Sequence, residues 1–284
     1  VAAAKQALED DCAIFTEEPD LAGAAIAVQA LAIADEVDVA SAAAERALAI
    51  ATERNATPDL IRARYLKGFV AWAYGDLGAA EADLRQAIDL ARLAGILPLV
   101  LLFAPGLVEI LIERNELEAA NAELEAVGAG SGPTPENVIF SILLVARVHL
   151  RYEQGDLIRC LEDFEALESQ ATGMGLGPGP AVIVSPWVVR ALVASGRREE
   201  AAELAAKTAP LARRWGAPSV VAHVTRAAAA ARGGTEAIGL LQEAATAIAG
   251  SPRRIERAHV LADLGEAMRR AGRRAEARGP LRRA

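Results

Sequence analysis

The apolar positions of the chain repeat at helical spacing, and small residues mark the same place in each repeat. Residues 65–91 read "YLKGFVAWAYGDLGAAEADLRQAIDLA" and residues 260–284 read "VLADLGEAMRRAGRRAEARGPLRRA". Both contain two glycines seven residues apart, then alanine five residues later and leucine four residues after that. The small position recurs at steps of 40, 40, 40, 41, 36 and 40 residues, at Ala40, Ala80, Ala120, Cys160, Ala201, Ala237 and Ala277. The positions four and seven residues further on are small or apolar in every repeat, with Thr208 as the exception.

Each repeat predicts a helix, a tight turn and a second helix. The turns are centred near residues 35, 75, 115, 155, 196, 232 and 272, where Gly or Asn is common. These residues accept the left-handed conformation that ends many helices. The three apolar positions that follow each turn lie on one helical face, where the small residue allows the paired helix to approach closely. The segment "PAVIVSPWVV" most resembles a strand, but it contains an internal proline.

A period of this length predicts an all-α fold in which helical hairpins stack one on the next. We expect about seven hairpins in a right-handed superhelix, or α-solenoid, forming one array over residues 1–284 without a single central core. The glycine- and proline-rich stretch Gln170–Pro180 predicts a long or mobile connection between the fourth and fifth hairpins. The shorter step into the sixth hairpin is explained by a trimmed turn in "ARGGTEA".

Composition favours helix and argues against a nucleic-acid binder. Hydrophobic residues make up 53% of the chain but aromatic residues only 4%, and the formal net charge is -8. Residues 251–284 nevertheless hold ten arginines against four acidic residues. This Arg-rich end has no aromatic stacking residue and no recognition-helix pattern. It therefore predicts a solvated face or a junction, with weak phosphate contact as the alternative.

The chain carries no motif for catalysis, for a metal or for a nucleotide cofactor. It has no phosphate-binding loop, because "GMGLGPGP" has no Lys, Ser or Thr and has prolines where backbone donors are needed. Cys12 and Cys160 have neither disulfide nor metal spacing, and His149, His223 and His259 lie far apart in sequence. The acidic pairs are expected to be solvated helix surface; they are Glu17/Glu18, Glu162/Asp163 and Glu199/Glu200.

The sequence predicts neither a membrane span nor a secretion signal. The longest uncharged run, Leu93 to Val108, contains two prolines and is shorter than the ~20 residues that cross a bilayer. We interpret it as a buried helix with turns. No basic start followed by an apolar stretch opens the chain, so we expect a cytoplasmic protein.

The repeat resembles the tetratricopeptide repeat, with helices longer than the usual 34-residue unit. Over roughly the last third, the stretches "LVASGRREEAAELA", "ARRWGAP" and "GSPRRIERAHVLADLGEAMRRAGRRAEARGPLRRA" resemble a narrower group. They are similar to the helical-repeat region of large ATP-binding LuxR-family transcriptional regulators of actinobacteria. In that family the repeats lie between a nucleotide-binding module and a C-terminal helix-turn-helix. Because the sequence starts and stops inside helical patterns, we expect it to be a piece of a longer chain.

The tetratricopeptide resemblance implies that the first helix of each hairpin lines a concave surface. The inward positions it implies are Arg62, Tyr65, Phe69, Trp72, Glu109, Glu113, Val145, His149, Tyr152, Arg190 and Arg226. All of these except Val145 are candidate contacts for a ligand or partner, and we expect the aromatic ones to stay partly exposed. The alternative for Tyr65, Phe69 and Trp72 is ordinary packing between helices.

The LuxR resemblance implies a regulatory sensor domain without catalysis of its own. Such a domain would bind a small-molecule inducer or a partner protein and control ATPase and DNA-binding modules, with DNA contacted only through a separate C-terminal domain. Self-association is compatible with this role. One alternative is a free-standing repeat adaptor that binds a peptide segment of another protein. A helical-repeat enzyme dependent on His149 is a third, weaker alternative.

Overall fold

The computed structural model describes residues 1–8 and 21–284, and within these residues the fold is entirely helical. The first part contains α1 (Ala2–Ala7), α2 (Leu21–Ile33), α3 (Val37–Arg54), α4 (Thr57–Tyr74), α5 (Leu77–Leu93), α6 (Leu97–Glu113) and α7 (Leu117–Ala126). The second contains α8 (Val138–Glu153), α9 (Leu157–Gly173), α10 (Gly179–Ala194), α11 (Arg198–Trp215), α12 (Pro218–Arg232), α13 (Gly234–Ala247), α14 (Arg254–Arg270) and α15 (Arg274–Arg283). The all-α prediction is confirmed.

Contacts divide the chain into two compact units, unit 1 (Val1–Gly132) and unit 2 (Pro133–Ala284). In unit 1 each helix from α2 to α7 packs against the next, and the first helices α2, α4 and α6 also contact one another in turn. In unit 2 the same pattern connects α8 to α15, and the first helices α8, α10, α12 and α14 form a contacting row. Packing between neighbours is what stacked hairpins require. One continuous array and its right-handed twist stay predictions.

The turns within the hairpins hold residues in the left-handed conformation. Asp35, Gly75, Asn115, Gly155, Gly196 and Gly272 have φ between 60° and 86°. At the sixth turn Gly233, one residue after the predicted position 232, has a positive φ of 70° but a ψ of -174°, which is not the left-handed helical conformation. Most of the turns are followed by a polar residue, and the Asp76 carboxylate accepts a hydrogen bond from the Ala79 amide at 3.1 Å, which caps α5.

The small position of every repeat is buried, and in two hairpins a glycine of the first helix lies very close to the second helix. In the second hairpin Gly68 of α4 lies against Leu84 of α5, so that a methyl group added to Gly68 would come within 2.0 Å of the Leu84 Cδ1 atom. In the seventh hairpin Gly265 lies against Leu281 in the same way, with 2.4 Å from the added methyl to Leu281 Cγ. The repeated glycines therefore mark close helix approach, and Leu84 and Leu281 fill the space that the absent side chain leaves. The polar exception Thr208 is buried and donates its hydroxyl to the Leu204 carbonyl at 2.9 Å.

One expectation about an individual segment needs correction. The Gln170–Pro180 stretch is not a long connection, because α9 runs to Gly173 and α10 begins at Gly179, which leaves residues 174–178 between them. The segment "PAVIVSPWVV" lies in α10 despite Pro186. Proline there leaves the Val182 carbonyl without its helical donor, and the buried Ser185 hydroxyl donates to that carbonyl instead, at 3.0 Å. The apolar run from Leu93 to Val108 crosses a turn at residues 94–96 and enters the largely buried helix α6, which contains Pro105, in agreement with the expected buried helix with turns.

Among residues 1–8 and 21–284, no helix combines the length and the apolar character that a membrane crossing needs.

Candidate functional site

The row of first helices in unit 2 brings polar and aromatic side chains together across four hairpins. We call this set the polar stripe. It consists of His149 and Tyr152 of α8, Trp187 and Arg190 of α10, His223 and Arg226 of α12, and Glu256 and Asp263 of α14. The first three helices repeat one arrangement, in which an imidazole or indole lies three residues before a Tyr or Arg. Residues three apart on a helix point the same way, so each helix contributes two neighbouring groups to the same face.

The aromatic part of the polar stripe is a stack of three rings. His149 and Trp187 are parallel with ring centroids 3.8 Å apart. Trp187 meets His223 edge to face at 5.4 Å. His149 is buried by this contact, whereas Trp187 keeps partial exposure. The indole is therefore a flat apolar surface held between two imidazoles.

His223 connects the rings to the charged part of the stripe. Its Nε2 atom lies 2.7 Å from the Ile183 carbonyl oxygen, and its Nδ1 atom lies 3.2 Å from Oε2 of Glu256. Both neighbours are acceptors, and a neutral imidazole has a single N–H. Only the doubly protonated ring donates to both at once. In that state the stripe carries three positive charges against two carboxylates.

Two arginines from different helices converge on one carboxylate. Arg226 Nε donates to Oδ2 of Asp263 at 2.7 Å, and Arg190 Nη2 donates to the same oxygen. Tyr152 of α8 is close enough to Arg190 to interact with it electrostatically. Asp263 is thus held by α10 and α12 together, and its contact with Arg190 reaches from the fifth hairpin past the sixth to the seventh.

Neighbouring positive charges lower the pKa values of both Glu256 and Asp263. Burial alone raises the pKa of Glu256, but His223, Arg226 and His259 together hold that pKa far below its usual range. The pKa of Asp263 is also lowered, because Arg226 and Arg190 outweigh the effect of burial. Both groups are therefore carboxylates at neutral pH.

A second Arg–Asp–Arg triad lies inside the fourth hairpin and is sealed from water. Arg147 makes two hydrogen bonds to Asp163, Nε to Oδ2 at 2.9 Å and Nη2 to Oδ1 at 2.5 Å, and Arg151 approaches Oδ2 at 3.0 Å. Burial raises the pKa of Asp163 against the opposing effect of the arginines. The expectation that Glu162/Asp163 is solvated surface is wrong for Asp163, because this carboxylate points into the hairpin and not out of it. Glu199 and Glu200 are exposed, and Glu17/Glu18 lie outside the described residues.

The predicted site residues of unit 2 fall on the polar stripe. His149, Tyr152, Arg190 and Arg226 all belong to it, but the expected exposure of His149 is wrong because Trp187 covers its ring. Arg226 is also buried, by its contact with Asp263. The prediction missed Trp187, His223, Glu256 and Asp263. Trp187 and His223 each lie three residues before a predicted arginine, as His149 lies before Tyr152, and that repeated spacing is a signal the sequence contains.

Two of the six predicted site residues of unit 1 are buried, and the other four are half-buried. Tyr65 stacks on Phe103 with ring centroids 3.9 Å apart, and its hydroxyl donates to Gln29 Oε1 at 3.1 Å. Tyr65 and Phe69 are buried because α4 packs them against neighbouring helices. The expected exposure of these two residues is therefore wrong. Trp72 meets Phe69 edge to face at 5.6 Å and stays half-buried. Arg62, Glu109 and Glu113 are half-buried too. A facing arrangement of Glu109 and Glu113 with Arg190 and Arg226 involves both units and stays a prediction.

Three other features were candidates for chemistry, namely the cysteines, a metal site and a cavity. Burial raises the pKa of the Cys160 thiol to about 12, so this cysteine is an inert core residue, and Cys12 lies outside the described residues. No group of three His, Cys, Asp or Glu side chains able to hold a metal occurs within residues 1–8 and 21–284. A cavity of about 650 Å³ near the Arg-rich end is lined by Ala245, Thr246, Ala249, Arg257, Leu261 and Arg283.

No protein-family model matches the chain, and no curated protein matches it.

Proposed function

We propose that this chain is the regulatory sensor domain of a LuxR-type transcriptional regulator and that it binds its inducer at the polar stripe. The observation that carries the binding role is the convergence of eight polar and aromatic side chains from four successive first helices. Buried and half-buried polar groups concentrated on one surface of an otherwise apolar row are costly for stability alone. The regulator role rests on the sequence resemblance of the last third of the chain.

The proposed mechanism is a change in how neighbouring hairpins are held. The stripe connects α8, α10, α12 and α14, so a ligand bound there contacts several hairpins at once. A ligand shifts a conformational equilibrium only through different affinities for the two states. Contacts that span hairpins supply that difference, and the domain then biases an ATPase and a DNA-binding module elsewhere in the longer chain. The domain itself is proposed to be non-catalytic and cytoplasmic.

A ligand screen with three tryptophan variants tests the binding role. The purified chain is screened by thermal shift against metabolites and peptides, and each hit is repeated with Trp187→Ala, Trp72→Ala and Trp215→Ala. We expect hits to be lost with Trp187→Ala alone. Trp215 is exposed at the end of α11 and serves as the matched control. Loss confined to Trp72→Ala would move the site to unit 1, and hits that survive all three variants would refute both surfaces.

The gene tests the regulator role. We expect the sequence encoded before this chain to contain a nucleotide-binding module and the sequence after it to contain a helix-turn-helix. A gene with neither module would refute the LuxR proposal while leaving the binding surface intact.

The second candidate is a free-standing adaptor that binds a peptide segment, and one observation favours it. Ile142 and Ile183 are exposed, and they precede His149 by seven and Trp187 by four residues, so they lie on the same helical faces as the stripe. An apolar strip that continues into a polar one fits an extended chain better than a compact molecule. Peptide hits that are weakened by Ile142→Ser and Ile183→Ser, with no small-molecule hits, would favour the adaptor.

A further inference from the structure

The two Arg–Asp–Arg triads of unit 2 differ in how far water reaches them. In the sealed triad the side chains of Arg147 and Asp163 are 4% and 6% exposed. In the polar stripe the side chains of Arg190 and Asp263 are 26% and 16% exposed. The sealed triad is internal to one hairpin. The stripe triad is partly open to solvent at Arg190 and Asp263, although Arg226 is only 7% exposed, and its three members come from three hairpins.

The carboxylate of Asp263 is placed as a bound anion would be. Guanidinium groups from two helices bind one of its oxygens, and Tyr152 of a third helix lies near Arg190. Convergent arginines are the usual means of binding carboxylates. Two guanidinium groups face the single carboxylate of Asp263 at this position, which favours an anion over a cation. The indole of Trp187 belongs to the same helix as Arg190, one turn before it.

We propose that Arg190, Arg226 and Tyr152 form an anion-binding site that Asp263 occupies in the unliganded chain, and that the ligand is a small carboxylate with a flat aromatic body lying beside Trp187. The ligand carboxylate takes the place of Asp263 on the two guanidinium groups. Asp263 then leaves α10 and α12, and the contact that reaches from the fifth to the seventh hairpin is released. Ligand binding and the position of α14 are thereby coupled. This inference rests on the proposed function in taking the polar stripe as the ligand surface.

Chemical rescue tests the site with benzoate as the probe and acetate as the comparison. The variants are Asp263→Ala, which empties the site, and Asp263→Ala/Arg190→Gln, which removes one of its guanidinium groups. The matched control is Asp83→Ala, because the Arg64–Asp83 pair also joins two helices, at 3.1 Å and with side-chain exposures of 35% and 18%. The melting temperature is followed as each salt is titrated against chloride at constant ionic strength.

The expected result is a saturable rise in melting temperature with benzoate for Asp263→Ala and none for the double variant or Asp83→Ala. Benzoate should also bind Asp263→Ala about tenfold more tightly than the parent, the worth of one charge-assisted hydrogen bond. Binding is read from Trp187 fluorescence in a Trp72→Phe/Trp215→Phe background, since the chain has three tryptophans.

Several results would overturn the proposal. Equal shifts in all variants would show a general salt effect, and benzoate binding retained by the double variant would exclude Arg190. A parent that binds no benzoate would refute displacement of Asp263, and acetate acting as well as benzoate would refute the aromatic body. If Asp263→Ala fails to fold in chloride, recovery of its helical signal in benzoate supports the site, and failure in both salts refutes it. If benzoate stabilises Asp263→Ala but the ligand screen finds no ligand for the parent, the anion site would stand and the sensor role would be refuted.

Discussion

Gly68→Ala should destabilise the second hairpin, although Gly→Ala inside a helix is ordinarily stabilising. The added methyl would lie 2.0 Å from Leu84 Cδ1, 3.0 Å from the Ala80 carbonyl oxygen and 3.1 Å from the Leu84 amide nitrogen. Leu84 is itself sealed at 1% exposure and also contacts Gly106 of α6, so its side chain has little room to turn away. Two of the three close atoms are backbone, and α4 must therefore move away from α5.

The magnitude follows from two opposed effects. Alanine gains about 1 kcal/mol over glycine in helix propensity. Overpacking a closely packed contact costs about 1–3 kcal/mol. Because both backbone and side chain obstruct the methyl, we expect the upper part of that range and a net loss of about 1–2 kcal/mol. Gly239→Ala is the control, because Gly239 is exposed within α13 and nothing lies within 4 Å of an added methyl. That variant should gain about 1 kcal/mol.

Native-state hydrogen exchange measures both effects locally, in the amides of α4–α5 and of α12–α13. A double-mutant cycle with Leu84→Ala adds a second test, since removing the leucine side chain makes room for the methyl. Gly68→Ala should then cost less in the Leu84→Ala background than in the parent, with a residual cost from the Ala80 carbonyl oxygen and the Leu84 amide nitrogen. A Gly68→Ala variant whose α4–α5 amides exchange as slowly as the parent's would refute the close approach of these helices.

Three further predictions concern polar groups. Asp163→Asn should lower the free energy of unfolding, measured in urea, by about 3–5 kcal/mol, because it leaves Arg147 and Arg151 buried without a full countercharge. A decrease below ~1 kcal/mol, as for a surface ion pair, would contradict the sealed triad. Because the pKa of Glu256 is lower in the folded chain, Glu256 becomes protonated in the unfolded chain first as the pH falls. The stability that Glu256 contributes is therefore present above about pH 4 and is lost below it. Glu256→Gln should make the fall in stability between neutral and acidic pH less steep, and an unchanged slope would argue against the ion pairs. Tyr65→Phe should cost about 1 kcal/mol in a thermal melt through the lost bond to Gln29, with Tyr74→Phe at the more exposed Asp38 contact as the comparison that should cost less.

The fold could be predicted from the sequence because the information is local and repeated. A residue type that accepts the left-handed conformation in the turn, with a small residue five positions later, indicates the position of a hairpin. Seven repeats make this pattern visible. The conformation of the Gln170–Pro180 stretch could not be predicted in this way. Its glycines and prolines indicate a loop, but α10 begins within them because the apolar residues that follow pack against α8 and α9.

The site was predictable only in part, because the exposure of a side chain depends on its neighbours in space. The spacing placed His149, Tyr152, Arg190 and Arg226 on first helices, which is where they lie. It could not show that a tryptophan 38 residues further on would cover His149, or that Asp263 would reach two hairpins back to Arg190. Ion pairs across hairpins depend on how closely the first helices approach, and no local pattern records that distance.

The even placement of the left-handed turns in unit 1 also determines how this molecule can change in length. These turns stand at residues 35, 55, 75, 95 and 115, so the turns inside hairpins and those between hairpins are the same distance apart. Loss or duplication of forty residues between equivalent turns removes or adds two helices, so first and second helices still alternate along the chain. A change of twenty residues instead brings a first helix to a place where a second helix belongs. Changes in length by two helices therefore keep this alternation, whereas changes by one helix break it.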